Sequence, residues 1–185
     1  MATKEFPLVP ETVPTVSTKY RKIVTKIPVP ESIDTLTRLR NLEPRSMGGQ
    51  PPVIWEKGEG FTVSDPYGNT WLDFSSGVLV TAAGHNRPEI VNAIKGMAEG
   101  GMYHTYAFPS QVRLKLVEAI AKILPAPLKR VFLLSTGSEA TECCIKLART
   151  QGMNIGGAAK NIIVSFDNSF HGRTMGSQLA GGSPG

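Results

Sequence analysis

Val131-Phe132-Leu133-Leu134-Ser135-Thr136-Gly137-Ser138-Glu139-Ala140 is the stretch whose reading decides the fold. Its first four residues form a short, wholly apolar run, as expected of a strand buried on both faces of a parallel sheet. A helix is expected to follow directly, from about Ser138 to Gln151. Ala140, Cys144, Leu147 and Ala148 would lie on its inward side, with Gly152 available to close it. Ile162-Ile163-Val164-Ser165-Phe166 then reads as a second buried strand. The segment is a β-α-β unit, and the fold class is α/β.

The junction between strand and helix has a specific physical use. The first amides of a helix have no partner within it, and the helix dipole adds positive potential there. Gly137 lets an anion approach the backbone, and Thr136 and Ser138 add hydroxyl donors, so phosphate is a natural guest. On its own the loop fits an ordinary Ser/Thr N-cap with a nearby Glu equally well. Competing phosphate motifs are excluded. A Walker loop needs Lys after its last Gly, and the dinucleotide fingerprint needs Gly-x-Gly-x-x-Gly.

One strand later comes Asp167-Asn168-Ser169-Phe170-His171-Gly172-Arg173-Thr174. Loops at the C-terminal ends of parallel strands are where α/β sheets bind ligands. Here one such loop carries an aromatic, an imidazole, a glycine and an arginine in succession. The aromatic can stack on a planar ligand and the arginine can grip a carboxylate with two parallel bonds. An incidental Phe-His pair would explain either residue alone, but it explains the whole run poorly.

Upstream, Ser110 is a plausible N-cap for a helix with Val112, Leu116, Ile120 and Leu124 on one side, stopped by Pro125. Pro88 suits the first position of another helix, ended by Gly100-Gly101. Val53-Ile54-Trp55, Phe61-Thr62-Val63 and Thr70-Trp71-Leu72-Asp73-Phe74 read as strands of a β-meander. Asp65-Pro66-Tyr67-Gly68-Asn69 is the turn between the last two. Ser32 is expected to cap a short helix through Leu39, and residues 1 to about 30 read as an extended arm. The expected layout is an arm and short helix over 1–50, a meander and helix over 51–108, and the first part of a large domain over 109–185.

The net charge of +5 comes from dispersed Lys and Arg residues. With no stacking-aromatic array or recognition motif, this reads as a solvated face and not as a nucleic-acid site. Cys143 and Cys144 are adjacent, point about 100° apart on a helix, and suit small packing residues in a reducing compartment. No run approaches membrane-spanning length and no apolar signal core is visible, so a cytoplasmic location is expected.

Taken in order, Asp65-Pro66-Tyr67-Gly68-Asn69-Thr70-Trp71-Leu72-Asp73-Phe74, Ser76-Gly77-Val78, Gly84-His85-Asn86-Arg87-Pro88, Thr136-Gly137-Ser138-Glu139-Ala140 and Phe170-His171-Gly172-Arg173-Thr174 resemble one family. The chain is similar, from about Pro52 onward, to the N-terminal portion of class III (subgroup II) aminotransferases dependent on pyridoxal 5′-phosphate (PLP), the 4-aminobutyrate and ornithine aminotransferase family. The resemblance implies a fold-type I PLP-dependent transferase, with PLP held by Thr136, Gly137, Ser138, Phe170 and His171. It implies that Val78 and Arg173 meet the substrate, and that Glu139 either orients the loop or simply caps the helix. His85 reads as structural.

The implied reaction moves an amino group from an ω-amino acid, 4-aminobutyrate-like or ornithine-like, to a 2-oxo acid such as 2-oxoglutarate. An aminomutase or related reaction on the same cradle is the alternative within the family. A non-catalytic binder of PLP or phosphate is the alternative outside it. The family's Schiff-base lysine lies beyond the Phe-His-Gly-Arg loop, and neither Lys146 nor Lys160 occupies its place. The chain is therefore expected to be truncated and inactive alone. The resemblance also implies a homodimer, with the arm and Met102-Tyr103-His104-Thr105-Tyr106 facing the partner.

Overall fold

The computed structural model describes residues 5–104 and 106–182; residues 1–4, 105 and 183–185 lie outside it. The expected dimer-facing segment over 102–106 thus falls in part outside the described residues. Internal contacts divide the chain into two compact units that part at His104.

The first unit is built on an antiparallel sheet of β1 (Val16–Ser17), β2 (Lys22–Ile23), β3 (Lys57–Glu59), β4 (Thr62–Ser64) and β5 (Thr70–Leu72), in the order β1-β2-β5-β4-β3. The meander forms, but its first strand is displaced from Val53-Ile54-Trp55 to Lys57–Glu59. Register explains the shift. The tight turn pairs Glu59 with Thr62, and β4 stops at Asp65, where the chain turns back on itself with Asp65 N donating to Asn69 O at 3.2 Å. The ladder is too short to reach back to Trp55.

The arm differs more. Its residues form the β1–β2 hairpin, and Lys22 pairs with Thr70 of β5, so the arm is part of the sheet. Asn69 fastens it. This side chain is fully buried. Its Oδ1 accepts from Val24 N at 2.8 Å, and its Nδ2 donates to Thr25 Oγ1 at 2.7 Å and to Asp65 Oδ2 at 2.6 Å. Asp65 Oδ1 in turn accepts from the amides of Tyr67 and Asn69. Gly68, at φ +94°, provides the left-handed step that closes this turn without a Cβ penalty. Ile23 and Val63 are buried on the same sheet.

Helix α1 (Ile33–Leu42) follows a 3-10 turn at Pro30–Ser32. Ser32 does not cap it; its buried hydroxyl donates to Val29 O at 2.7 Å. A single turn, α2 (Ser76–Leu79), and then α3 (Pro88–Glu99), which starts on its proline, complete the unit.

The second unit holds α4 (Gln111–Ile123), α5 (Gly137–Gly156) and α6 (Met175–Leu179). Ser110 caps α4, accepting from Arg113 N at 3.2 Å. Three expectations for this unit need correction. Val131–Leu134 and Ile162–Phe166 pair with no strand among the described residues. A strand exists only against a neighbour, and these apolar runs have none; Phe132, Ile162 and Val164 stay more than two-thirds exposed at 69%, 83% and 87%. Second, Gly152 does not end α5. It is buried within the helix, where the Lys160 carbonyl occupies the space a Cβ would need, and Gly157 at φ +68° is the C-cap. Third, Ala140, Cys144, Leu147 and Ala148 are exposed, and the more covered side carries Thr141, Glu142, Cys143 and Ile145. No helix among the described residues is long and apolar enough to cross a membrane.

Asn69→Ala should lower the stability of the first unit by about 2–4 kcal/mol, because it takes the acceptor from the Val24 amide and removes bonds to Thr25 and to the buried Asp65. Urea denaturation followed by tryptophan fluorescence, which reports on Trp71 in β5, checks this. A midpoint within error of wild type would show that Asn69 does not fasten the arm.

Candidate functional site

The site in the second unit begins with how α5 starts. Thr136 is the N-cap, its Oγ1 accepting from Glu139 N at 3.2 Å. The Glu139 carboxylate folds back, and its Oε2 accepts from Ser135 N at 2.9 Å and Thr136 N at 3.1 Å. This is a capping box extended by one residue. It occupies the amides before the helix and leaves those of Gly137 and Ser138, the first two helical residues, without an acceptor among the described residues. Such amides at a helix N-terminus suit an anion.

The facing wall is the loop after Phe166. Ser169 ties the loop's start by donating to the Phe166 carbonyl from its amide at 3.3 Å and from its hydroxyl. Gly172, at φ +118°, lies directly against Ser138. A Cβ there would collide with Ser138 Oγ and stand 2.8 Å from its Cβ, so only glycine allows this approach. The Ser177 hydroxyl of α6 adds a bond to Ser138 O at 3.1 Å.

Between the walls is a concavity of about 400 Å³ lined by Thr136, Gly137, Ser138, Thr141, Phe170, His171 and Gly172. The structure thus brings together the five residues that the resemblance assigns to the cofactor. The arrangement fits PLP: two open amides and the Thr136 and Ser138 hydroxyls suit a phosphate, and the Phe170 ring, 77% exposed, can cover a planar ring. No lysine lines the concavity. Arg173 is exposed next to it, with no hydrogen bond or ion pair among the described residues, and is not part of the lining. Among those residues no group of His, Cys, Asp and Glu could hold a metal ion. Sequence reading passed over Thr141, one turn into the helix, and Glu142, which bonds Thr174 and the start of α6.

Val78 belongs to the first unit, on α2. Ser76, Gly77, Val78 and Leu79 all have positive φ, from 51° to 65°. For non-glycine residues this costs roughly 1–2 kcal/mol each, so something must enforce it. Asp73 does: its Oδ1 accepts from Ser75 N and Ser75 Oγ, and its Oδ2 accepts from Gly77 N and lies 2.7 Å from His85 Nε2. Its side chain is only 2% exposed. The Ser75 hydroxyl, then the His85 ring, hold the Asp73 carboxyl down at about 2. His85 reaches Asp73 through a close fit over Gly58, and its backbone exchanges two hydrogen bonds with Gly60. The turn exposes Phe74, Val78, Leu79 and Val80, each more than three-quarters accessible.

Residues 45–184 match the family model of class-III aminotransferases. The acetylornithine aminotransferase of Clostridium acetobutylicum is 38% identical over 136 residues, 74% of this chain and 35% of that protein. The 4-aminobutyrate aminotransferase of Mycobacterium leprae is 32% identical over 156 residues, 83% of this chain and 34% of that protein. Among solved structures, an (S)-enantioselective omega-transaminase from Thermomicrobium roseum superposes with a TM-score of 0.71 at 28% identity, covering 82% of this chain and 36% of that one. The chain therefore spans about a third of the length of the relatives it matches.

Two outcomes follow from the geometry. Gly172→Ala should open the second unit's loop, seen as faster amide exchange over 170–174 with α4 unchanged; unchanged exchange would mean the Ser138 contact is not formed. For Asp73 the folded carboxyl titrates below the ordinary 3.8, so its contribution to stability is full above that pH and is lost as pH falls towards 2. The stability gap between wild type and Asp73→Asn, from urea midpoints, should thus be constant above pH 3.8 and shrink below it. A gap independent of pH down to 2 would contradict the assignment.

Proposed function

The chain belongs to the class-III aminotransferases, a PLP-dependent family, and from that premise we propose that the cradle at the start of α5 holds PLP. The Gly137 and Ser138 amides take the phosphate, helped by the Thr136 and Ser138 hydroxyls, while Phe170 stacks on the ring with His171 beside it. The observation that carries this reading is the pair of open amides facing the Phe170–Gly172 wall across one concavity. Bound there, PLP supplies an electron sink for the carbon that carries the substrate amino group. The chain's own residues bind and orient it. Glu139 keeps its charge on the amides of Ser135 and Thr136, and so directs the phosphate to the next two.

In the whole protein the reaction is transfer of an amino group from an ω-amino acid to a 2-oxo acid such as 2-oxoglutarate. Arg173, exposed beside the cradle, suits the donor carboxylate through a bidentate pair, and Val78 suits the apolar wall of the substrate pocket. Sequence reading leans to a 4-aminobutyrate-like donor. A relative named acetylornithine aminotransferase, from Xanthomonas axonopodis, is 42% identical against 32% for one named 4-aminobutyrate aminotransferase, which supports an acetylornithine-type donor as the alternative. Both are primary ω-amines bearing a carboxylate. A homodimer with the α2 turn at its interface suits the exposed apolar residues there. The two free thiols, Cys143 and Cys144, suit a reducing cytoplasm.

A second reading, a binder without chemistry, is favoured by the lack of a lysine around the concavity. Calorimetric titration with 4′-deoxypyridoxine 5′-phosphate, which lacks the aldehyde and cannot react with lysines, tests the cradle itself. Binding should be at least about tenfold tighter than for inorganic phosphate, and Ser138→Ala should weaken it by about tenfold. Equal affinity for both ligands would leave only generic anion binding. With PLP, either donor and 2-oxoglutarate, the 185-residue chain should form no glutamate beyond that made by free PLP. Turnover would show that a lysine of this chain serves the site.

A further inference from the structure

Ser138 and Glu142 lie one helical turn apart on α5, so their side chains leave the same face. Ser138 is in the cradle. Glu142 reaches across 32 to 35 residues of sequence to the far side of the opposite loop. Its Oε1 accepts from Thr174 Oγ1 at 2.6 Å, from Gly176 N at 2.8 Å and from Ser177 N at 3.3 Å. The two amides open α6, where a carboxylate is favoured by the unpaired N–H groups. The fit is close: a Cβ on Gly176 would collide with the Glu142 carboxylate, its Cδ being 3.0 Å away. Ser177, completely buried, closes the ring by donating to Ser138 O at 3.1 Å.

We propose that Glu142 is a positioning residue for the cofactor site, fixing the Phe170–Arg173 loop against Gly137 and Ser138 through Thr174, Gly176 and Ser177. Among the described residues, the loop's other polar tie to α5 is the Ser177 hydroxyl on Ser138 O, at this same downstream end. Upstream, Ser169 bonds only within its own turn, to Phe166 O. Phe170 and His171 are exposed and make no hydrogen bond among the described residues, and Gly172 restricts nothing by itself. What holds the wall in place is its downstream end, which Glu142 clamps to the same helix that carries the phosphate amides. One helix thus sets both the floor and the wall of the concavity. The Glu142 carboxyl is held below its ordinary value, first by the Thr174 hydroxyl and then by the Gly176 amide, consistent with a charged acceptor in this position.

The clamp itself is independent of what the concavity binds; its use in holding the pyridine ring rests on the function proposed above. Trypsin can read the clamp directly, because the exposed Arg173 precedes Thr174, and Arg149, inside α5, provides an internal control. In native digests of the 185-residue chain followed by mass spectrometry, Glu142→Ala should speed cleavage at Arg173–Thr174 by about tenfold. Cleavage at Arg149–Thr150 should stay within about twofold. Glu142→Gln, which keeps an oxygen acceptor, should fall between wild type and Glu142→Ala. Equal acceleration at both bonds, or no change at Arg173–Thr174, would overturn the proposal.

A binding split provides the second readout. Glu142→Ala should weaken 4′-deoxypyridoxine 5′-phosphate by about tenfold while changing inorganic phosphate by less than about twofold, because only the ring needs the wall. Equal loss for both ligands would overturn the role of Glu142 in placing that wall. If the wild type is protected from trypsin at Arg173 but prefers neither ligand, the clamp stands and the cofactor reading fails.

Discussion

A helix start must find acceptors for its first amides, and the site depends on how α5 does so. Thr136 and Glu139 satisfy part of the demand from within the chain, with Glu139 Oε2 held between Ser135 N and Thr136 N. A carboxylate placed one residue further along would quench the amides that a phosphate needs. Here it stops short, and Gly137 and Ser138 are left facing the concavity. The same glutamate that a sequence reader assigns to a simple cap therefore has a second consequence, because its placement determines which amides stay open.

The opposite wall shows the same economy. Gly172 permits the approach to Ser138, Ser177 bonds Ser138 O, and Glu142 binds the loop's exit. Polar contacts, more than apolar burial, join α5 to the loop. Ser177 is fully buried there, whereas Phe166 and Phe170 remain largely exposed at 83% and 77%. In the first unit, polar side chains hold equally decisive positions: Asn69 fastens the arm to the meander turn, and Asp73 enforces the left-handed turn that carries Val78.

Much of this was legible in the sequence where the controlling physics is local. The Pro88 helix start, the Ser110 cap, the turn over 65–69 and the Thr136–Glu139 box depend on residues within a few positions of one another. Legibility failed where the partner is distant. Glu142 gains its meaning from Thr174 and Gly176, and Asn69 from Val24, and no spacing rule announces either. Gly152 looked like a helix end because a glycine near the end of a periodic run usually is one, but here it makes room for Lys160 O. The apolar runs at 131–134 and 162–166 have the composition of buried strands and yet pair with nothing among the described residues. Composition reports what a segment needs, and pairing depends on what is beside it.

The central claim is that the Gly137 and Ser138 amides are reserved for a phosphate while Glu139 holds those of Ser135 and Thr136. Amide chemical shifts in a ¹⁵N-labelled chain titrated with 4′-deoxypyridoxine 5′-phosphate test it most directly. The account predicts large, saturable shifts at Gly137 and Ser138, accompanied by Phe170 and His171, with Ser135 and Thr136 moving little. Shifts confined to Ser135 and Thr136, or spread over surface lysines with Gly137 and Ser138 unmoved, would contradict it.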